Sequence, residues 1–391
     1  MSPANPTPPD YDVAIIGGGV AGLWLLDRLQ AAGHAVVLFE KHSLGGGQTG
    51  HSQGMIHGGI KYSLTGALTG ASESIADMPA FWTECLAGTG EMDLSGVATL
   101  ARDYYLFSDG RLASKIVAFF ASKLMRGRVT VTAPHERPAV FQDLQFKGEL
   151  YRLADLVVDA FSLIEVLYRR NRDAVFLAGA AISQTDEQVT LSLDDGQRVT
   201  ARTCICAAGE GNEALLEAAK ITDIPMQRRP LHQVSVTAPG LPAIHAHATA
   251  LGSGEKPRVT FTTHLSAAGL PVWYLGGDLA ETGARRDQTE QIAFAQAELA
   301  ALLPWVSLDG ALWKTHPINR AEPSLGGARP DLPFVGHAGN VLACWPVKLT
   351  LMPLLARQVL AEMPAPSITT TRQPPDLPPP PHATGPWDKL Y

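Results

Sequence analysis

Residues 13–22 read VAIIGGGVAG, with Gly17, Gly19 and Gly22 at the spacing G-x-G-x-x-G. Each glycine has a separate task in a phosphate-binding turn. The first allows a tight bend, the second lets backbone approach a pyrophosphate, and the third lets a helix pack closely on a strand. Glu40 closes the next apolar run, where a carboxylate can accept from a ribose hydroxyl. Further groups suited to chemistry lie downstream. His51 and His57 sit in a glycine-dense stretch, residues 44–70, and a neutral imidazole accepts a proton near pH 7. Lys348 is flanked by Trp345, Pro346, Val347 and Leu349, and a lone ammonium in an apolar run needs a partner. Cys204 and Cys206 are separated by one residue, so they are not a CxxC redox pair.

The surrounding pattern predicts the elements that hold these groups. An apolar strand pattern from Tyr11 to Ile16 precedes the glycines. A helix follows, with Leu23, Leu26 and Leu29 as its apolar stripe and Gly33 as its stop. Helices are predicted over 71–87, 111–125, 159–170, 290–303 and 351–362. Residues 188–202 read as a hairpin around Asp194-Asp195-Gly196. The run 203–207 reads as a buried strand that ends in Ala208-Gly209. Strands dominate 231–277. The Pro-rich first ten residues are expected to be a flexible arm, and the Pro-rich residues 364–391 an extended or disordered tail.

Composition narrows the class. A chain of 391 residues with 46% hydrophobic and 18% charged content can build a large core and two domains. A net charge of −7 argues against nucleic-acid binding. Four cysteines in apolar settings suggest free thiols in a reducing compartment. No basic start, signal-peptide run or long apolar span is evident, so a cytoplasmic protein is expected. Only one glycine fingerprint is present, whereas enzymes that pass electrons from nicotinamide to bound flavin usually show two. The single site therefore serves NAD or a flavin dinucleotide.

The segment 48–62, QTGHSQGMIHGGIKY, resembles the loop of the D-amino-acid-oxidase-like FAD-dependent oxidoreductases. Its Q-T-G-H and I-H-x-G patterns are similar to the L-2-hydroxyglutarate dehydrogenase and oxidase branch. The I-H-G-G and the pair Lys61-Tyr62 are similar to the glycerol-3-phosphate dehydrogenases, as is Lys348-Leu349-Thr350. Val158-Asp159 and the strand ending Ala207-Ala208-Gly209 also resemble family motifs. The resemblance extends over residues 11–362, strongly in the first 62 and diffusely over 90–150 and 210–310.

That resemblance implies FAD as cofactor and an α/β fold: a Rossmann-like, three-layer FAD domain with an inserted, mainly antiparallel-sheet substrate domain. The expected FAD domain comprises 11–80, 150–225 and 315–363, and the substrate domain 81–149 and 226–314. Gly17, Gly19, Gly22, Glu40, Thr49, His51, Ser52, Gly54, Ala208 and Gly209 are the expected FAD contacts. A histidine near this loop is covalently bound to flavin in some relatives, although the hydroxyglutarate branch implies otherwise for His51. Substrate C–H would deliver hydride to flavin. His57 would assist proton removal, and Lys61 with Lys348 would hold an anion. Tyr62, His316 and Arg320 are the expected substrate contacts, with Tyr274 and Trp345 as possible pocket walls. One departure matters: His316-Pro317 stands where many relatives carry an Arg-Pro pair for the substrate carboxylate.

The resulting expectation is oxidation of a small anionic hydroxy compound, a 2-hydroxy acid or polyol phosphate. Alternatives are an amine or amino-acid oxidase, a flavin-binding subunit of a larger complex, or an NAD-dependent dehydrogenase. The acceptor stays open among oxygen, quinone and a carrier protein. No metal is expected. The basic amphipathic stretch 115–128 offers a second reading as a peripheral membrane contact, set against ordinary core packing.

Overall fold

The computed structural model describes residues 9–59, 75–108, 129–249, 257–326, 330–368 and 375–390. Lys61, Tyr62 and the stretch 115–128 lie outside the described residues. The chain divides into two compact units. One comprises residues 1–50, 161–229 and 320–383, and the other comprises 51–160, 230–319 and 384–391. The first segment thus ends at Gly50 rather than near residue 80, because the stretch after it pairs with second-unit strands: Met55 and Ile56 pair with Val157 and Leu156.

The first unit is built on an eight-stranded sheet. Its central strand, Tyr11–Ile16, is flanked by Val36–Glu40 and Arg198–Cys206, both parallel to it. Ile16 lies opposite Phe39 on one side and Cys206 on the other, so three strand ends finish at the same level. Such buried parallel strands read as continuous apolar runs, and Val13 to Ile16 are all buried. The hairpin Val189–Leu193 to Arg198–Cys206 forms as the Asp-Asp-Gly turn predicts. Val341–Trp345 adds in parallel to Cys204–Cys206 and carries the antiparallel Phe334–Ala338. Helix Val20–Ala31 buries Leu23, Leu26 and Leu29.

The second unit holds another eight-stranded sheet, in the order Leu312–Pro323, Met226–Thr237, Pro271–Gly276, Val259–Leu265, Ala246–Thr249, Tyr104–Ser108, Leu150–Leu153, Val129–Val131. Five of its strand pairs are antiparallel, and Ala246–Thr249 pairs in parallel with Tyr104–Ser108. Phe107, Phe141, Phe261 and Trp273 fill its core, together with helix Gln288–Leu302. A capping box starts that helix: the Asp287 carboxylate accepts from the Glu290 amide, and Glu290 accepts from the Asp287 amide.

Of the expected N-terminal arm only residues 9 and 10 are described, and the C-terminal segment is extended and docked rather than disordered where it is described. Asp10 is tied to Thr200, its amide donating to the Thr200 carbonyl at 3.0 Å and its carboxylate accepting from the Thr200 amide at 2.9 Å. The Pro-rich C-terminal segment is also docked where described. Pro378 and Pro381 carbonyls accept from the amides of Leu177 and Leu44, and Trp387 is only 3% exposed. Proline cannot donate but keeps its carbonyl, so an extended Pro-rich strand can satisfy a neighbour's amides on one side.

Candidate active site

In the first unit the glycine turn is shaped by contacts that leave no room for side chains. Gly17 has φ +118°, and a Cβ there would lie 2.6 Å from the Ala207 carbonyl oxygen. A Cβ on Gly22 would lie 1.9 Å from the Gly17 oxygen. Gly19 differs: its Cβ would meet only the Thr49 hydroxyl, at 3.2 Å. Gly19 is the N-cap of helix Val20–Ala31, whose first turn contains no acid. A helix start of this kind presents backbone N–H groups and positive potential to a pyrophosphate.

Glu40 braces the same turn. Its carboxylate accepts from the Gly18 amide at 2.6 Å and from the His42 amide at 2.8 Å. Thr49 accepts from the Val20 amide at 3.1 Å. The Gly45 amide donates to the Gly18 carbonyl, so the following loop folds back onto the fingerprint. Ala208 and Gly209 form the turn beside Gly17. Asn212, fully buried, holds that turn by accepting from the Ala208 amide at 2.8 Å. Trp345 donates from its indole nitrogen to the Gly209 carbonyl at 3.1 Å, which makes it a brace within this unit.

Lys348 and Arg320 also belong to this unit. Lys348 is 8% exposed, and its ammonium donates to the Asp331 carbonyl at 3.1 Å, with a carboxylate oxygen at 3.5 Å. The apolar run around it thus has the partner it requires. Arg320 donates to the Val347 carbonyl at 3.0 Å. Val347 has φ +63°, a strained setting for a β-branched residue, and the Lys348 amide closes back onto the Pro346 carbonyl at 2.6 Å. Arg320 therefore steadies a strained turn directly ahead of the helical run that starts at Leu349.

The second unit carries the imidazoles. His51 Nδ1 lies 3.3 Å from the Tyr274 hydroxyl, and that hydroxyl donates to Gln233 Oε1 at 2.9 Å. A phenol has one proton to give. With it committed to Gln233, the Tyr274 oxygen accepts from His51 Nδ1–H, and Nε2 becomes the nitrogen that can take a proton. Burial pushes the Tyr274 pKa upward, so the phenol keeps its proton. His316 Nε2 lies 2.7 Å from the Ser235 hydroxyl. Its ring centroid is 6.3 Å from that of His51 and 5.6 Å from that of Tyr274. Burial, reinforced by His51, Lys314 and His232, pushes the His316 pKa down to about 3. His316 is thus a neutral hydrogen-bonding group.

Other residues of the predicted loop belong to the same unit. Ser52 accepts from the Gly54 amide at 3.0 Å, and the Gly54 carbonyl accepts from the Val158 amide at 2.9 Å. Gln53 donates to the carbonyls of Tyr274 and Thr260 at 2.9 and 3.1 Å. His57 is buried, and the next amide, of Gly58, donates to the Asp155 carboxylate at 2.8 Å. Sequence reasoning missed Asn212, Gln233, Ser235 and Trp387. Asn212 follows the Ala-Gly turn by three residues, a spacing that could have marked it. The other three carry no local signal.

The glycine turn, its acid and the parallel strand ends define a protein with a Rossmann-like dinucleotide-binding unit. The sequence signature of the FAD-dependent oxidoreductases called DAO matches residues 12–362. The chain belongs to that family and is an FAD-dependent oxidoreductase. It is 47% identical over 386 residues to the probable FAD-dependent oxidoreductase PA4991 of Pseudomonas aeruginosa, covering 97% of this chain and 98% of that one. The crystal structure of PA4991 superposes with a TM-score of 0.85 at 40% identity, over 98% of this chain and 99% of that one. Glycine oxidase from Geobacillus kaustophilus shares the fold at 20% identity and a TM-score of 0.65, covering 93% of this chain and 96% of that one. L-α-glycerophosphate oxidase from Mycoplasma pneumoniae, solved with FAD bound, does so at 16% and 0.66, covering 94% of this chain and 99% of that one. Among the described residues no helix is long and apolar enough to cross a membrane, and no cluster of His, Cys, Asp or Glu could hold a metal ion.

The residues present fit FAD. The cradle that Gly17 and Gly22 form would be filled by any Cβ, and Gly19 stands open at a helix start. Gly19 and the first amides of that helix would hold the pyrophosphate, and Glu40 the ribose. Bound there, FAD supplies a two-electron acceptor for hydride.

Proposed function

We propose that the protein oxidises a small anionic hydroxy compound, a 2-hydroxy acid or a polyol phosphate, with FAD as acceptor. The observation that carries this reading is the Gln233–Tyr274–His51 chain of hydrogen bonds. It supports His51 Nε2 as a proton acceptor, which alcohol oxidation requires as the C–H bond breaks. An amine that reacts as the free base needs no such group. His57, buried one strand along, is the second imidazole suited to the role. The neutral state of His316 suits hydrogen bonding to a substrate oxygen. Lys348 supplies the cation for the anion, sharing its ammonium with Asp331. Lys61 and Tyr62 are proposed as further contacts, as the resemblance implies.

The test is anaerobic titration of the holoenzyme with 2-hydroxy acids, polyol phosphates, amines and amino acids, following loss of the yellow flavin band. A hydroxy compound should bleach it. His51→Asn should slow bleaching by about 10²–10⁴-fold with FAD retained, and Lys348→Met should raise KM without loss of FAD. Bleaching by amines alone, with ammonia or aldehyde released, would overturn the reading. Bleaching by no small molecule, with activity restored by a partner protein, would overturn it in favour of a subunit role.

A further inference from the structure

The docked C-terminal turn brings one aromatic ring onto the tyrosine that orients His51. Residues from Thr384 onward belong to the second unit, and Pro386–Leu390 form a short 3-10 turn. Trp387 within it is buried. Its ring stacks on His264 at a centroid distance of 4.0 Å and an interplanar angle of 25°. It meets Tyr274 edge-on at 5.2 Å and 68°. The Tyr274 ring is thus enclosed by Trp387, by His264 at 6.0 Å and by His316 at 5.6 Å. Of the three, only Trp387 comes from a terminal segment.

The turn is fastened specifically. Asp388 accepts from the Ala267 amide at 2.8 Å and from the Gly385 amide at 2.8 Å. Gly385 gives the indole room: a Cβ there would lie 2.6 Å from Trp387 Nε1. The Asp388 amide closes the turn onto the Gly385 carbonyl at 3.0 Å. His264, the stacking partner, is itself held by a contact of 3.0 Å from Nε2 to the Thr262 hydroxyl. Burial, with His245 close by, pushes its pKa down to about 3, so the stacked face is a neutral ring.

The Tyr274 oxygen lies on the ring axis, so turning the ring does not move it, but the hydroxyl hydrogen and lone pair favour the ring plane, and that plane therefore sets the directions in which the hydroxyl donates to Gln233 and accepts from His51. We infer that Trp387 is a positioning residue: it locks the Tyr274 ring so that the hydroxyl donates to Gln233, accepts from His51, and selects the His51 tautomer. The inference rests on the proposed role of His51, but the tautomer can be read without any substrate.

The experiment uses the full-length holoenzyme with nitrogen-15-labelled histidine. The tautomer of His51 is read by NMR at mildly alkaline pH, its signals assigned by their loss in His51→Gln. The wild type should show one dominant tautomer, with the proton on Nδ1. Trp387→Ala should lose that signature and give a mixture, and Trp387→Phe should restore it. Asp388→Ala, which frees the turn while keeping the indole, should give the same mixture. FAD content should hold in all three. Wild-type His51 signals in both Trp387→Ala and Asp388→Ala would overturn the inference, as would a wild type already mixed. Normal flavin bleaching by a hydroxy compound in His51→Gln would instead overturn the proposed base and leave the positioning result standing.

Discussion

Two alanine substitutions in one glycine fingerprint should fail in different ways. At Gly22 the added Cβ would lie 1.9 Å from the Gly17 oxygen, about 1.5 Å short of ordinary contact. The oxygen is backbone and the Cβ is bonded directly to backbone, so neither yields by rotating a side chain. Alanine favours a helix over glycine by about 1 kcal/mol, so an unobstructed change would stabilise. Overpacking costs about 1–3 kcal/mol and more where backbone must move, so the clash wins. At about 2–4 °C per kcal/mol for a unit of this size, Gly22→Ala should lower Tm by several degrees. Excess FAD should not restore it. Gly19→Ala meets only the Thr49 hydroxyl at 3.2 Å, which a shift of a few tenths of an ångström relieves. Its Cβ would instead project from the helix start that is proposed to hold the pyrophosphate. Loss of charge-assisted hydrogen bonds of about 1.5–3 kcal/mol should weaken FAD binding roughly tenfold to hundredfold. Mass action should then recover near wild-type Tm at saturating FAD. The assays are thermal unfolding across an FAD series and flavin fluorescence titration. A Gly22→Ala protein with wild-type Tm, or a Gly19→Ala protein with wild-type FAD affinity, would refute the division of labour.

Further expectations concern acid stability and the strained turn. Burial lowers the pKa of His264 and His316 to about 3 and of His245 to about 4, so the unfolded chain binds their protons first. Their stabilisation is full above about pH 6.5 and is lost as pH falls toward 3–4. At pH 5 each contributes a loss of about 2 kcal/mol as an upper bound, and denaturant unfolding at pH 7 and 5 with excess FAD checks this; equal midpoints would contradict it. Arg320→Gln removes the bond to the Val347 carbonyl and should lower Tm, while the double variant with Val347→Gly should recover most of the loss because glycine accepts φ +63° without strain. Calorimetry of the four-member cycle measures the coupling, and strict additivity would show that Arg320 does not steady the turn.

The sequence alone determined the dinucleotide cradle, and local chemistry explains why. Gly17, Gly19, Gly22 and Glu40 lie within one strand–helix–strand unit, where spacing dictates geometry. The hairpin around Asp194-Asp195-Gly196 and the helices that include Leu23 to Leu29 and Leu355 to Val359 were legible on the same ground: period and turn residues act over short range. The loop from Gln48 to His57 pointed to the family because its residue types are dense and contiguous. Only the tertiary structure decided what the dispersed polar groups do. Trp345 and Arg320 brace backbone carbonyls, and Lys348 meets Asp331, pairings between residues separated by at least one turn or strand. The Gln233–Tyr274–His51 chain joins three segments up to 223 residues apart, and Trp387 reaches it from a terminus whose prolines suggested an extended or disordered tail. Composition describes how a segment behaves by itself. Whether its carbonyls and rings find partners depends on the surface waiting for them, and that surface exists only once the sheet has formed.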